Sequence, residues 1–144
     1  MKKAVIPIVL IAVLLVGFIV SVPLVNNHSA KEVERRLVST ALPDNTEIVE
    51  SLSKAGKLVG NGNGMQYFGA MLIKSELGLE ELEAYYSEII SGSAVREQKS
   101  RDIEIIEHGT LSFEAEISDT EGYFIVYLFG SGKKPFSELD IRGH

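Results

Sequence analysis

Four groups of residues in this chain have side chains or backbone that could do chemistry. They are the run Gly60-Asn61-Gly62-Asn63-Gly64, the pair Tyr85-Tyr86, the acids Glu80, Glu81, Glu83 and Glu88, and the histidines at 28, 108 and 144. A glycine-rich loop can turn backbone N–H groups onto a phosphate, but the site needs a following helix whose N-terminus completes it. Here Met65-Gln66-Tyr67-Phe68 follows and reads as a strand, with no Lys-Ser/Thr pair. Asn-Gly dipeptides are also strong hairpin formers, because both residues accept positive φ. The loop is therefore expected to be a hairpin turn, with Asn61 and Asn63 as candidate contacts for a partner or ligand. Tyr85 and Tyr86 are expected at the core boundary, ring buried and hydroxyl wet, with ligand stacking as their second possible use.

No histidine pair has the i, i+4 spacing of a metal site, and His144 would meet Asp140 only if the tail curled back. The glutamates lie largely on the polar face of a helix, whereas paired-carboxylate catalysis needs two acids in different environments facing one cleft. No Gly-x-Ser-x-Gly elbow occurs. The absence of cysteine removes thiol nucleophiles, thiolate metal sites and disulfides together. No catalytic residue, metal ligand or cofactor is assigned on these grounds, and an enzyme is the secondary expectation.

Charge narrows the partners. The 144 residues hold 14 Lys and Arg against 20 Asp and Glu, a net charge of −6. Only Lys2 and Lys3 precede residue 31, and no acid does, so the rest of the chain is more acidic still. Such a surface repels phosphate backbones, which argues against nucleic acid as a partner.

Ala4 to Val25 is apolar throughout and uncharged. At ~1.5 Å per helical residue it reaches roughly 30 Å, the thickness of a hydrocarbon core. A secretory signal would be shorter and end in small residues, but His28 and Pro23 spoil the two candidate cleavage sites. Residues 1–27 are expected to be an uncleaved transmembrane anchor, in contact with lipid through residues 4–25. Lys2, Lys3 and the terminal amine favour a cytoplasmic N-terminus, which puts the C-terminal part outside the cell membrane. Gly17 and Ser21 form a small-xxx-small pair that could bring two copies together.

After the anchor, residues 28–43 read as a juxtamembrane stalk helix, with Val33, Leu37 and Val38 at helical spacing and Pro43 as its stop. Residues 44–144 are then a single domain. Its expected elements are a hairpin with arms 46–59 and 65–75, and a helix over 79–91 that buries Leu82, Tyr85, Tyr86, Ile89 and Ile90. Strands at 103–107, 111–117 and 123–129 follow, with a last edge strand at 136–141. The strict alternation Leu111, Phe113, Ala115, Ile117 carries the second of these. The fold class is α+β: an antiparallel sheet of about five strands in two layers with one main helix packed on it.

The stretch Leu42-Pro-Asp-Asn-Thr-Glu-Ile-Val-Glu-Ser, the Gly-Asn loop and Leu79-Glu-Glu-Leu-Glu-Ala-Tyr-Tyr together resemble a group of small single-span bacterial envelope proteins. The resemblance implies an anchored ββαβββ-type domain outside the membrane, and it transfers no site. Two functions remain. One is a membrane-anchored extracytoplasmic interaction module that binds an envelope protein or peptide. The other is a small-molecule or glycan-binding domain, or a minor enzyme, using a cleft between helix and sheet.

Overall fold

The structure is a computed structural model that describes residues 2–118, 120–130 and 132–144, with side chains from Ile6 onward. The expected turn at Asp119, the loop start at Ser131, and the Lys2 and Lys3 side chains on which orientation rests lie outside what it describes. Helix α1 runs unbroken from Lys2 to Val38, through Pro7 and Pro23. Strands β1 (Thr46–Gly56) and β2 (Gln66–Ser75) form the hairpin read from the sequence. Helix α2 (Leu79–Ile89), strand β3 (Ala94–Glu97) and strand β4 (Tyr123–Gly130) complete the regular elements. The sheet is wholly antiparallel, in the order β1-β2-β4-β3.

This is α+β, as expected, but with four strands and not five. Residues 103–107, 111–117 and 136–141 form no strand, whereas Ala94–Glu97, where no strand is expected, forms β3. Ile103 and Phe113 are buried, and Leu111, Ala115 and Ile117 are half-buried with polar residues between them, so the alternation is real. Their backbone makes no ladder beyond one isolated bridge, Asp102 to Ser112. The segment lies as an irregular cover over one face of the sheet, where Ile103, Ile106 and Phe113 pack on Phe68, Ala70, Leu72 and Ile125. Alternation reports which side chains face the core, and it does not report where the N–H groups go. The expected edge strand at 136–141 is replaced by two single-turn 3₁₀ helices, Ser137–Leu139 and Ile141–Gly143.

The other face carries both helices. Leu82, Tyr86 and Ile90 of the α2 region join Ala30, Val33 and Leu37 of α1 over Tyr67, Met71, Ile73, Val126 and Leu128. Residues 28–38, read as a stalk, are thus the second half of α1, and they pack in the core. Ile89, expected on the buried face of α2, is exposed, as is Val38 at the end of α1. Gly69 explains how closely α1 can lie on β2: a Cβ there would stand 2.5 Å from the backbone nitrogen of Glu34. α2 begins as its sequence predicts. Gly78 has no side chain to cap with, and its N–H donates instead to the Glu81 carboxylate at 2.9 Å.

The first half of α1 packs on almost nothing. Ile6, Leu10, Leu14 and Ile19 are more than half exposed, and the helix is long and apolar enough to cross a membrane.

Candidate functional site

The four residues singled out by sequence are not brought together. Asn61 and Asn63 lie exposed in the β1–β2 connection, at the end of the domain where α1 emerges. Tyr85 donates to the carbonyl of Ala41 at 3.0 Å, in the α1–β1 connection at the opposite end. The ten residues of β2 separate these ends by roughly 30 Å.

The Gly-Asn run is not a two-residue hairpin turn. The connection spans residues 57–65, and the positive φ values fall on Gly60 (74°) and Gly64 (133°), not on the asparagines. Its shape is set by Gln66, whose Oε1 accepts from the N–H groups of Leu58 and Val59 at 2.8 Å while its Nε2 donates to the Val59 carbonyl. Further along, Glu107 accepts from the Gly60 N–H at 2.7 Å, and His108 Nε2 meets the Gly60 carbonyl at 2.7 Å. The N–H groups of Leu58, Val59 and Gly60 are thus turned inward onto Gln66 and Glu107.

Tyr85 and Tyr86 meet edge to face, with ring centroids 5.3 Å apart. Tyr86 is fully buried, and among the described residues its hydroxyl has no hydrogen-bond partner. Burial pushes this hydroxyl up to about 12, with a smaller contribution from Tyr85. Neither ring borders the hollow beside α2. The hollow on the outer side of α2 is lined by Glu80, Glu83, Ala84, Ser87 and the start of β3.

A polar cluster that the sequence did not reveal sits where α1 leaves the domain. Asn26 is fully buried, and its Oδ1 accepts from the Tyr67 hydroxyl at 2.6 Å. Its Nδ2 donates to Asp140 Oδ2 at 3.0 Å and to the carbonyls of Val22 and Phe136. Arg142 holds Asp140 through Nε (2.9 Å) and Nη2 (2.6 Å), and reaches Asn27 Oδ1 and the Pro23 carbonyl. The Arg142 hydrogen bonds hold the Asp140 carboxyl below the ordinary range, against the opposing effect of burial. Burial, then the Asp140 charge, raises Tyr67. Every member is engaged within the protein, which suits fastening and not catalysis. Asn26 occupies a helical position shared with Ala30, Val33 and Leu37, but an amide at that position sends no apolar signal.

A second buried acid, Glu34, faces β1 from α1. It accepts from Lys31 and Ser51 at 2.7 Å each. Burial pushes its carboxyl up, and the hydrogen bonds of Lys31, Ser51 and Ser53 outweigh this and leave it lowered. On the opposite face of the sheet Glu50 of β1 accepts from the N–H groups of Glu114 (2.8 Å) and Ala115 (2.9 Å), fastening the irregular cover. Among the described residues no three His, Asp or Glu side chains cluster as a metal site would need.

Two sheet edges have no strand partner among the described residues, the short outer edge of β3 and the long outer edge of β1. β1 pairs only with β2, and the eleven residues from Thr46 to Gly56 form one border of the sheet. Val49 is an extra residue in the register, between Ile48↔Ile73 and Glu50↔Leu72, and it is exposed. Beyond it, Glu50 to Gly56 run in unbroken register with Leu72 to Gln66. Among the described residues no other strand pairs with this edge. No family model, curated protein or solved structure matches the chain. The likeness to small bacterial envelope proteins therefore rests on the quoted residues alone.

Proposed function

We propose that this protein is a membrane-anchored extracytoplasmic interaction module that binds an extended segment of an envelope protein along the outer edge of β1. The observation that carries this reading is the β1 border, eleven residues long against four for the β3 border, with no strand paired to it among the described residues. An exposed edge presents a row of backbone donors and acceptors, and a peptide can add to it as a further strand. The bulge at Val49 and the exposed Lys54 limit indiscriminate pairing, which favours a fitted partner over self-association. The hollow between α2 and the start of β3 has neither Tyr85 nor Tyr86 in its lining, which favours the edge over a tyrosine-lined cleft for a small molecule or glycan.

The anchoring half of the reading is supported by the continuity of α1. Its apolar first half is exposed, and its second half supplies Asn26, Ala30, Val33 and Leu37 to the core. Cleavage after Ala30 would remove Asn26 and Ala30 from that core, which argues against that one of the two candidate sites.

Photo-crosslinking amino acids placed singly at Val49, Lys54, Asn61 and Glu88 of the full chain test the edge. Adducts of one protein at Val49 and Lys54, absent at Glu88 on the outer face of α2, are expected. Adducts confined to Asn61 would move the contact to the loop, and no adduct at any position would end the module reading.

A further inference from the structure

We infer that the C-terminal turns rest in the surface of the same bilayer that α1 enters, with Phe136, Leu139 and Ile141 among the lipids. This rests on the anchored reading above and goes beyond it, because it fixes the domain against the membrane instead of holding it clear.

The domain meets α1 through Phe136 and Arg142. The Phe136 ring packs edge to face on Phe18, with centroids 5.5 Å apart, and its carbonyl accepts from Asn26. Arg142 reaches the carbonyl of Pro23. The lower rim of the domain therefore lies alongside residues 18–27 of the helix. Below that rim, Ala4 to Gly17 gives only about 21 Å of helix at 1.5 Å per residue. A hydrocarbon core of ~30 Å needs the helix up to about Pro23 to lie within it. If the domain stood clear of the membrane, Ile19, Val20 and Leu24, each more than half exposed, would face water. With residues 18–23 at membrane depth, the turn that touches Phe18 is at membrane depth too.

The surface of those turns fits this placement. Apart from α1 itself, the large apolar side chains exposed in the described residues are Val49, Ile89, Phe136, Leu139 and Ile141. Three of these five fall within six residues of the tail, and Ile141 is 86% exposed and Leu139 56%. A tight group of such residues beside a spanning helix is what an interfacial contact requires. Charge agrees. The domain is strongly acidic, but from Gly132 onward Lys133, Lys134 and Arg142 outnumber Glu138 and Asp140. Lys133 pairs with Glu138 at 3.0 Å, and this rim carries no excess of acid to repel headgroups.

The chain has no tryptophan, so a single introduced indole reports one place only. Full-length Leu139→Trp and Ile141→Trp are reconstituted in vesicles whose acyl chains carry bromine, beside Val13→Trp in the span and Val49→Trp at the far end of the domain. Folding of each is checked by circular dichroism. The expected result is blue-shifted emission and strong quenching at 139, 141 and 13, with neither at 49. Quenching at 13 with tail indoles as wet and unquenched as that at 49 would overturn the tail contact and leave the anchor intact. No quenching at 13 would remove the anchor and the tail contact together.

Discussion

The Tyr67 hydroxyl in the second strand donates a 2.6 Å hydrogen bond to the Asn26 amide oxygen in the helix that carries the apolar segment. Through Asn26 the bond continues to Asp140 and then to Arg142, so a strand, a helix and the chain terminus are joined at one buried point. The helix is therefore part of the domain's core and not a tether to it. A tether would let the domain swing. This joint sets its orientation to the apolar segment.

Two tyrosine-to-phenylalanine changes should differ in their effect. Tyr67→Phe strips a buried amide oxygen of its donor and is expected to cost about 1–3 kcal/mol, the usual penalty for an orphaned buried polar group. Tyr86→Phe removes a hydroxyl that has no partner among the described residues, and stability should hold or rise. Thermal unfolding of both full-length variants in mild detergent distinguishes them. Equal losses would contradict the assignment of the two hydroxyls.

Gly69→Ala should destabilise by about 1–3 kcal/mol, because the added methyl meets the rigid backbone of α1 at Val33 and Glu34. Gly62→Ala, with nothing within 4 Å of its Cβ, should be close to neutral. The same unfolding measurement checks the pair, and a neutral Gly69→Ala would mean that α1 does not lie on β2 as described.

Glu50→Ala withdraws the carboxylate that accepts from the Glu114 and Ala115 N–H groups. Hydrogen exchange should quicken at 113–116 while the β2 amides stay protected, since the cover can loosen without breaking the sheet. Unchanged exchange at 113–116 would show that packing of Phe113 alone holds the segment.

Acid should weaken the joint between α1 and the domain. The folded Asp140 carboxyl is depressed, chiefly by the Arg142 hydrogen bonds, below an unfolded value of about 3.9. A depressed carboxyl adds stability that is fully present above the unfolded value and is lost as pH falls through the folded one. Unfolding midpoints followed from about pH 7 to about pH 3 should therefore fall at the acid end. Asp140→Asn should start less stable at neutral pH and lose less on acidification. An identical slope in both would contradict the role given to this pair.

Much of the fold is legible in the sequence where local signals agree. The α2 segment has its apolar spacing, acids at the first turn and a glycine stop at Gly92, whose φ is 83°. The hairpin arms are legible from the apolar run Tyr67–Ile73 and the loop before it. Residues 103–117 mislead because their alternation is a packing signal, while their N–H groups find Arg101, Leu111 and Glu50 instead of a neighbouring strand. The second half of α1 is legible as a helix, but its place in the core is not, because Asn26, Ser29 and Glu34 are polar yet buried and blur its inward face. Of the candidate contacts, the exposure of Asn61 and Asn63 follows from their composition. The β1 edge is a matter of strand order, which no local pattern encodes.

The absence of cysteine allows a direct test of the central claim, that an intact helix anchors this domain outside the cell membrane. A full-length Lys54→Cys variant is labelled in intact cells with a membrane-impermeant maleimide, and the labelled protein is followed through an alkaline wash of the membranes. Labelling without lysis and retention of full-length labelled protein in the membrane pellet are expected. Labelling only after lysis, or labelled protein released in the wash or shortened at its N-terminus, would contradict it.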